Sequence, residues 1–322
     1  MIHILHHADS DGRFAGYCAW RHFRDNPDVS LENVQFKEVQ YQQAFPVDIE
    51  SLTKDDQMYI LDFSYDRETL DKVYEKIGFL KVLDHHESAE ERLQGAPYVF
   101  FDKTKSGALL AWEYFFQDRS PPLACLLVND FDMWAWKFQH TAAFEAYLHY
   151  DRVKQNWEKW DLLATDAAVM DNAIKTGLIL EQSNESAMRT IVFGGNLVYG
   201  DIEEEVAPSC PDLLSDTPDI TQYLPKVPKT LGRYAVHNGM GILHSQLGGF
   251  ICKEKQVDLS IGFRIKRDIV VFNLRSNENS KVNAKTVATR FGGGGHPDAA
   301  SFRLDLVAGL DLVRQLMIVK KL

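Results

Sequence analysis

Lys81-Val82-Leu83-Asp84-His85-His86-Glu87 is the stretch on which the reading of this sequence turns. An apolar run ends abruptly in an acid and two adjacent imidazoles. Such a run reads as a short buried strand that presents Asp84, His85 and His86 at its C-terminal edge, where open α/β sheets place their chemistry. Adjacent histidines serve as metal ligands, phosphate contacts or a general acid according to protonation. Alone, the triplet is equally well a polar loop after a strand. It gains meaning only if other segments bring matching acids to the same edge.

Working outward, the pattern recurs. Ile2 to Leu5 reads as a strand, followed by the polar loop His6-His7-Ala8-Asp9-Ser10-Asp11-Gly12 and an amphipathic helix over Arg13 to Phe23. Val34 to Val39 reads as a second strand, and Met58 to Leu61 as a third that opens onto Asp62. Arg67 to Ile77 is helical, Phe79 to Leu83 is the fourth strand, and Tyr98 to Phe101 a fifth. Ser106-Gly107-Ala108 opens an aromatic-rich helix that Ser120-Pro121-Pro122 breaks. Leu123 to Val128 fits either helix or strand, and Asp130 and Asp132 follow it. Strands alternating with helices predict an α/β chain with a mainly parallel sheet covered on both faces.

From Thr141 to about Ile191 the sequence is helix-rich. Five of the eleven prolines then fall between Pro208 and Pro228, which marks an interdomain linker. Strand and helix patterns resume beyond it. The organisation read from sequence is therefore residues 1–207 as a first domain with a helical extension over 141–207, 208–230 as linker, and 231–322 as a smaller second α/β domain across a cleft.

Bulk properties narrow the chemistry. The chain of 322 residues is 45% hydrophobic and 25% charged, ordinary for a globular protein. No apolar run approaches membrane-spanning length, and the N-terminus lacks the charge and apolar core of a signal peptide. The four cysteines, Cys18, Cys125, Cys210 and Cys252, are scattered without a CxxC pair, which speaks against a zinc ribbon or disulfide framework and fits a cytoplasmic protein. Net charge is −11. A binder of long duplex nucleic acid shows a basic footprint, so the balance favours a small substrate handled through metals.

His7, Asp9, Asp11, Asp62, His85 and Asp130 or Asp132 each stand where an apolar run stops. In an extended loop His7, Asp9 and Asp11 fall on one side. Each acid taken singly reads as a cap or turn residue. Crowded together, carboxylates repel one another unless a cation is present. A mixed Asp/His set suits Mn²⁺, with Mg²⁺, Fe²⁺ or Co²⁺ as alternatives. Two such ions about 3.5–4 Å apart activate water and clamp an in-line phosphoryl displacement. In the second domain Gly292-Gly293-Gly294-Gly295-His296 lets backbone N–H groups approach an anion, and Arg275-Ser276 ends a strand with a phosphate-gripping pair.

These motifs, in this order, resemble the DHH/DHHA1 phosphoesterase superfamily. His7-Ala8-Asp9-Ser10-Asp11-Gly12, Ser106-Gly107-Ala108 and Asp132-Met133-Trp134 look most like its NrnB-type branch of nanoRNases and cyclic-nucleotide phosphodiesterases. The resemblance runs from residue 3 to about 304; no motif covers 141–207. It implies that His7, Asp9 and Asp62 hold one Mn²⁺, and that Asp11, a bridging Asp62, His85 and Asp132 hold the other. Asp84 would orient an imidazole or water. His86 would contact the scissile phosphate or protonate the leaving oxygen. Arg275, Ser276, Gly293, Gly294, Gly295 and His296 would bind the far end of the substrate, with Arg275 also stabilising developing charge. Of His3, His6 and His7, the spacing to Asp9 selects His7. Trp134 selects Asp132 over Asp130, as in relatives. Ala299-Ala300-Ser301 stands where many relatives have Ala-Ala-Gly.

The implied activity is phosphodiester or phosphomonoester hydrolysis on a short oligoribonucleotide or small nucleotide: nanoRNA, 3′-phosphoadenosine 5′-phosphate or a cyclic nucleotide. A homodimer is compatible with it, and no membrane partner is expected. The competing expectations are an exopolyphosphatase or pyrophosphatase built on the same metal plan, and a nucleotide-binding sensor without turnover.

Overall fold

The computed structural model describes residues 1–202, 232–238 and 244–317, apart from residues 42, 152, 154, 196, 278, 279 and 281. The apolar runs become strands β1 (Ile2–His7), β2 (Val34–Val39), β3 (Gln57–Leu61), β4 (Phe79–Asp84) and β5 (Val99–Phe101). They form one sheet in the order β2-β1-β3-β4-β5, with every neighbouring pair parallel. The helices of the same region are α1 (Ser10–Arg24), α2 (Arg67–Lys76), α3 (Glu87–Leu93), α4 (Gly107–Phe115), α5 (Leu123–Asp132), α6 (Thr141–Asp151), α7 (Trp157–Thr165) and α8 (Ala167–Phe193).

Period-two alternation decides which face each strand residue serves. Ile4, Leu61 and Leu83 pack with Phe14, Tyr17 and Cys18 of α1 and with Ala108 and Ala111 of α4. Leu5, Ile60 and Val82 point the other way, into a second core with Leu70 and Val73 of α2. Burial of each such Leu, Ile or Val contributes about 1.5–3 kcal/mol. The sheet is thus apolar on both faces, as a parallel sheet must be. Its order reverses between β1 and β3, which opens a crevice at the C-terminal strand ends.

The chain divides into two compact units, Met1–Ser183 and Asn184–Leu322. The second contains β6 (Val198–Ile202), β7 (Gly232–Asn238), α9 (His244–Lys255), β8 (Leu259–Lys266), β9 (Ile269–Ser276), α10 (Ala284–Thr289), β10 (Gly294–Gly295), β11 (Ala299–Asp305) and α11 (Leu306–Met317). Its sheet order is β10-β11-β9-β8-β7-β6, antiparallel except for β7 beside β8. Phe272, Phe291 and Phe302 stack at 4.4–4.7 Å in the core on one face, and Leu247, Ile251 and Cys252 of α9 bury the other.

One open reading is settled and two change in detail. Leu123–Asp132 is a helix, so Asp132 sits at a helix end and not after a strand. The helix after β1 starts at Ser10, so Asp11 occupies its first turn and not an extended loop. Val198–Ile202, within the stretch read as helical extension, is a strand paired with β7. The proline-rich segment 208–230 lies outside the described residues.

Candidate metal centre

The C-terminal edge of the first sheet gathers the acids and imidazoles. β1 delivers His7. Asp9 caps α1, its carboxylate accepting the Gly12 N–H at 2.9 Å. A Cβ at Gly12 would lie 2.4 Å from the His7 carbonyl oxygen, so only glycine lets α1 start this close to β1. Asp11, in the first turn, accepts the Gly107 N–H at 2.6 Å and the Ala108 N–H at 3.0 Å from the start of α4. That helix N-terminus favours the anion and fixes its orientation.

Asp62 follows β3 with φ +57°, a left-handed conformation that costs a non-glycine residue about 1–2 kcal/mol. Strain of this kind persists where surroundings over-determine it. Here the Asp62 N–H donates to the Leu83 carbonyl at 2.8 Å, and Gly107 packs against its side chain, with 2.3 Å between Asp62 Cβ and any Cβ placed there. Neither partner can move back without losing β4 or α4.

The resulting geometry has two sides joined by one carboxylate. Asp62 Oδ2 lies 3.6 Å from His7 Nδ1, which lies 2.6 Å from Asp9 Oδ2. Asp62 Oδ1 lies 3.2 Å from His85 Nε2, which is 3.4 Å from Asp132 Oδ2 and 3.9 Å from Asp11 Oδ2. Ligand atoms of His7, Asp9 and Asp62 fall within 4.8 Å of one another, as do those of Asp11, His85 and Asp132. Asp62 Oδ1 and Asp132 Oδ2 are buried and accept no hydrogen bond from the described residues.

Electrostatics separate the two sides. Burial alone would lower the His7 pKa, but Asp9 and Asp62 push it up to about 10, and His7 in turn holds Asp9 well below the usual carboxylate range. This side is internally paired. Burial and the nearby Asp11 and Asp9 push Asp62 well above its ordinary value. Burial and repulsion from Asp132 push Asp11 up to about 7, against the pull of His85. Burial likewise raises Asp132. The His85 pKa rises despite burial, because Asp132, Asp11 and Asp84 surround it. More carboxylates converge here than imidazoles can neutralise. A divalent cation satisfies that excess, so the donor set fits metal ions.

Asp84 and His86 play other parts. Asp84 Oδ1 accepts the backbone N–H groups of His85 and His86 at 2.7 and 3.1 Å and lies 2.8 Å from His86 Nδ1; Oδ2 accepts the Ser64 hydroxyl at 2.5 Å. Although burial opposes it, His86 and these hydrogen bonds lower Asp84 to about 2. An ionised Asp84 accepts only, so His86 Nδ1 carries the proton and donates. Asp62, Asp84 and His86 form a third compact group, but Asp84 spends its oxygens on this turn.

No family model matches the chain. An uncharacterized protein of Acanthamoeba polyphaga mimivirus is 24% identical over 316 residues, covering 95% of this chain and 68% of that protein. Among solved structures, a DHH domain from a member of the s1p family of ribosomal proteins superposes with a TM-score of 0.54 at 12% identity, over 99% of this chain and 87% of that one. Thermus thermophilus RecJ, crystallised with Mn²⁺, gives 0.52 at 15% identity, over 98% of this chain and 51% of that one. The chain has the DHH fold.

Within that fold the second unit collects its own predicted residues. Register places Arg275 of β9 opposite Ala299 of β11. Arg275 lies 3.8 Å from Asp298, and the Ser276 hydroxyl donates to the Pro297 carbonyl at 3.2 Å. His296 and Ala299 close the adjoining turn, the His296 N–H donating to the Ala299 carbonyl at 2.7 Å. Two of the glycines have packing reasons: a Cβ on Gly293 would meet the Ser301 carbonyl at 2.1 Å, and Gly295 has φ +139°. Gly294 faces open space.

Several residues around the acidic cluster escaped the sequence reading. Tyr41 lays its ring edge-on to His7 at 5.5 Å and to His86 at 6.0 Å. Glu145 accepts the Ser10 hydroxyl at 2.8 Å; burial raises it to about 7. The competing acid Asp130 points away from the cluster, accepting the Thr141 hydroxyl at 2.5 Å. Only the Ser106-Gly107-Ala108 signature could have flagged the amides that hold Asp11.

Proposed function

We propose that this chain is a metal-dependent phosphoesterase that hydrolyses short oligoribonucleotides or small nucleotides. The observation that carries it is the bridging placement of Asp62, one oxygen toward His7 and Asp9 and the other toward His85, Asp132 and Asp11. In this reading His7, Asp9 and Asp62 hold one ion and Asp62, Asp11, His85 and Asp132 the other. Mn²⁺ suits the mixed donor set, with Mg²⁺, Co²⁺ or Fe²⁺ as alternatives. Bound there, a pair of divalent ions activates water and neutralises the charge of an in-line phosphoryl displacement.

The chain's own residues supply the rest. The Gly107 and Ala108 amides and the clamped Asp62 backbone preorganise the acids. Asp84 orients His86, leaving Nε2 to contact a phosphoryl oxygen or protonate the leaving group. Arg275, Ser276 and the 293–296 turn supply phosphate-binding groups in the second unit. The acidic balance of the chain supports a small substrate over long duplex nucleic acid. The name of one fold neighbour, RecJ with Mn²⁺, is consistent with metal dependence.

The test is a panel of labelled di- to pentaribonucleotides, 3′-phosphoadenosine 5′-phosphate, cyclic dinucleotides and tripolyphosphate with each metal. Nucleotide hydrolysis abolished by Asp62→Ala or His85→Ala supports the reading. Hydrolysis unchanged by both variants refutes the site. Turnover of tripolyphosphate alone points to the polyphosphatase chemistry instead, and tight nucleotide binding without product points to a sensor.

A further inference from the structure

The acid pair after Leu126-Leu127-Val128 divides in two. Asp132 joins the cluster, while Asp130 ties down the loop that follows. Asp130 Oδ1 accepts the Lys137 N–H at 2.8 Å, Oδ2 accepts the Phe138 N–H at 3.2 Å and the Thr141 hydroxyl at 2.5 Å, and its carbonyl accepts the Ala135 N–H at 2.9 Å. The loop so closed holds Trp134 and Trp136 at φ +53° each, a region that bulky residues avoid. Phe131, Trp134 and Trp136 form an edge-on ring cluster, with 4.7 Å between the tryptophan centroids. Trp136 nevertheless stays 41% exposed and Phe138 40% exposed.

A buried clamp that spends its hydrogen bonds to hold a strained loop and present aromatic rings to solvent is not explained by packing. Strain maintained in this way marks binding loops. The loop leaves directly from the metal centre: Trp136 is four residues past Asp132, so their Cα atoms lie at most about 14 Å apart. Lys137, exposed beside it, adds a cation near the rings. The occupant matching a flat π surface, a neighbouring cation and a phosphate-processing centre within that reach is a nucleobase. Stacking on an aromatic ring requires no particular base, because every base has a π face.

We propose that Trp136 is a stacking platform for a base of the substrate whose phosphate lies at the Asp62 cluster, with Trp134 and Phe131 bracing the ring. This rests on the phosphoesterase reading above. It also makes the substrate a nucleotide and not a bare polyphosphate.

The experiment compares wild type, Trp136→Ala and Trp136→Phe with Mn²⁺ on a dinucleotide and on its fully abasic counterpart. Trp136→Ala is expected to raise KM for the dinucleotide roughly 5- to 150-fold with kcat unchanged, to leave the abasic substrate unaffected, and to be largely rescued by Trp136→Phe. The proposal is overturned by unchanged dinucleotide kinetics in Trp136→Ala, by equal losses on both substrates, which signal a displaced Asp132, or by no rescue by Phe. An oligomer that dissociates in Trp136→Ala with nucleotide kinetics intact assigns the ring to a second copy and also overturns it. If wild type hydrolyses the dinucleotide, the phosphoesterase reading stands whatever Trp136→Ala does; if wild type hydrolyses neither substrate, that reading falls and the platform with it.

Discussion

Replacing Asp62 with Asn should stabilise the metal-free protein while abolishing its response to Mn²⁺. Asn tolerates the left-handed φ of +57°, so the backbone is preserved. Oδ1 of Asp62 accepts no hydrogen bond from any described residue, so Asn forfeits none there. What changes is charge. Burial and its acidic neighbours raise the Asp62 pKa in the folded state. A raised carboxyl pKa stabilises below the unfolded value and loses that contribution as pH climbs through the folded value. Each unit by which the fold raises a carboxyl pKa costs about 1.4 kcal/mol of stability once pH exceeds the raised value. In a unit of this size each kcal/mol moves Tm by about 2–4 °C. The assay is a thermal melt after exhaustive chelation. Asp62→Asn should melt several degrees above wild type at pH 7.5, and the gap should narrow as pH falls toward the ordinary carboxyl range, because the raised Asp62 takes up its proton first. Saturating Mn²⁺ at 100 times its Kd should add about 2.7 kcal/mol per bound ion to wild type and almost nothing to the variant. A variant that melts lower than wild type at pH 7.5 without metal, or that gains as much from Mn²⁺, refutes the reasoning.

The remaining predictions concern the division of labour at the site. By elemental analysis His85→Ala should lose one equivalent of metal, whereas His86→Ala should retain both and lose about 10²–10⁴-fold in kcat, the usual worth of a general acid; equal metal loss in both merges roles assigned here to different imidazoles. Asp130→Asn removes charge from three hydrogen bonds that close the tryptophan loop, so urea unfolding should show a loss of about 2–4 kcal/mol with the metal content of the folded protein unchanged. Because Asp11 is pushed up to about 7 and His7 up to about 10, Mn²⁺ binding must expel protons from both, and apparent affinity should rise with pH through about 7 and on toward about 10. Titration calorimetry in buffers of different ionisation enthalpy reads the released protons; a pH-independent affinity contradicts the crowded-carboxylate account.

The strand-end residues were legible because a parallel sheet converts position in sequence into position in space. His7, Asp62 and His85 each follow an apolar run, and parallel register carries all three to one edge. Asp11 and Asp132 were legible as acids but not as helical residues. The Asp9 cap starts α1 inside a segment whose alternating polarity looks extended, and Leu123 to Val128 has no period that separates helix from a buried strand. Tyr41 and Glu145 carried no local signal. They reach the site through tertiary packing alone, across 34 and 138 residues from His7. The glycine run has a second demand that its pattern does not show: Gly293 meets strand packing and Gly295 a positive φ, needs that a sequence pattern cannot separate from anion binding.

The most direct measurement is anomalous scattering at the manganese edge from crystals grown with Mn²⁺. Two peaks about 3.5–4 Å apart should flank Asp62, one beside His7 and Asp9 and the other beside Asp11, His85 and Asp132. A single peak away from Asp62, or none at full Mn²⁺ saturation, contradicts a two-metal centre bridged by that residue.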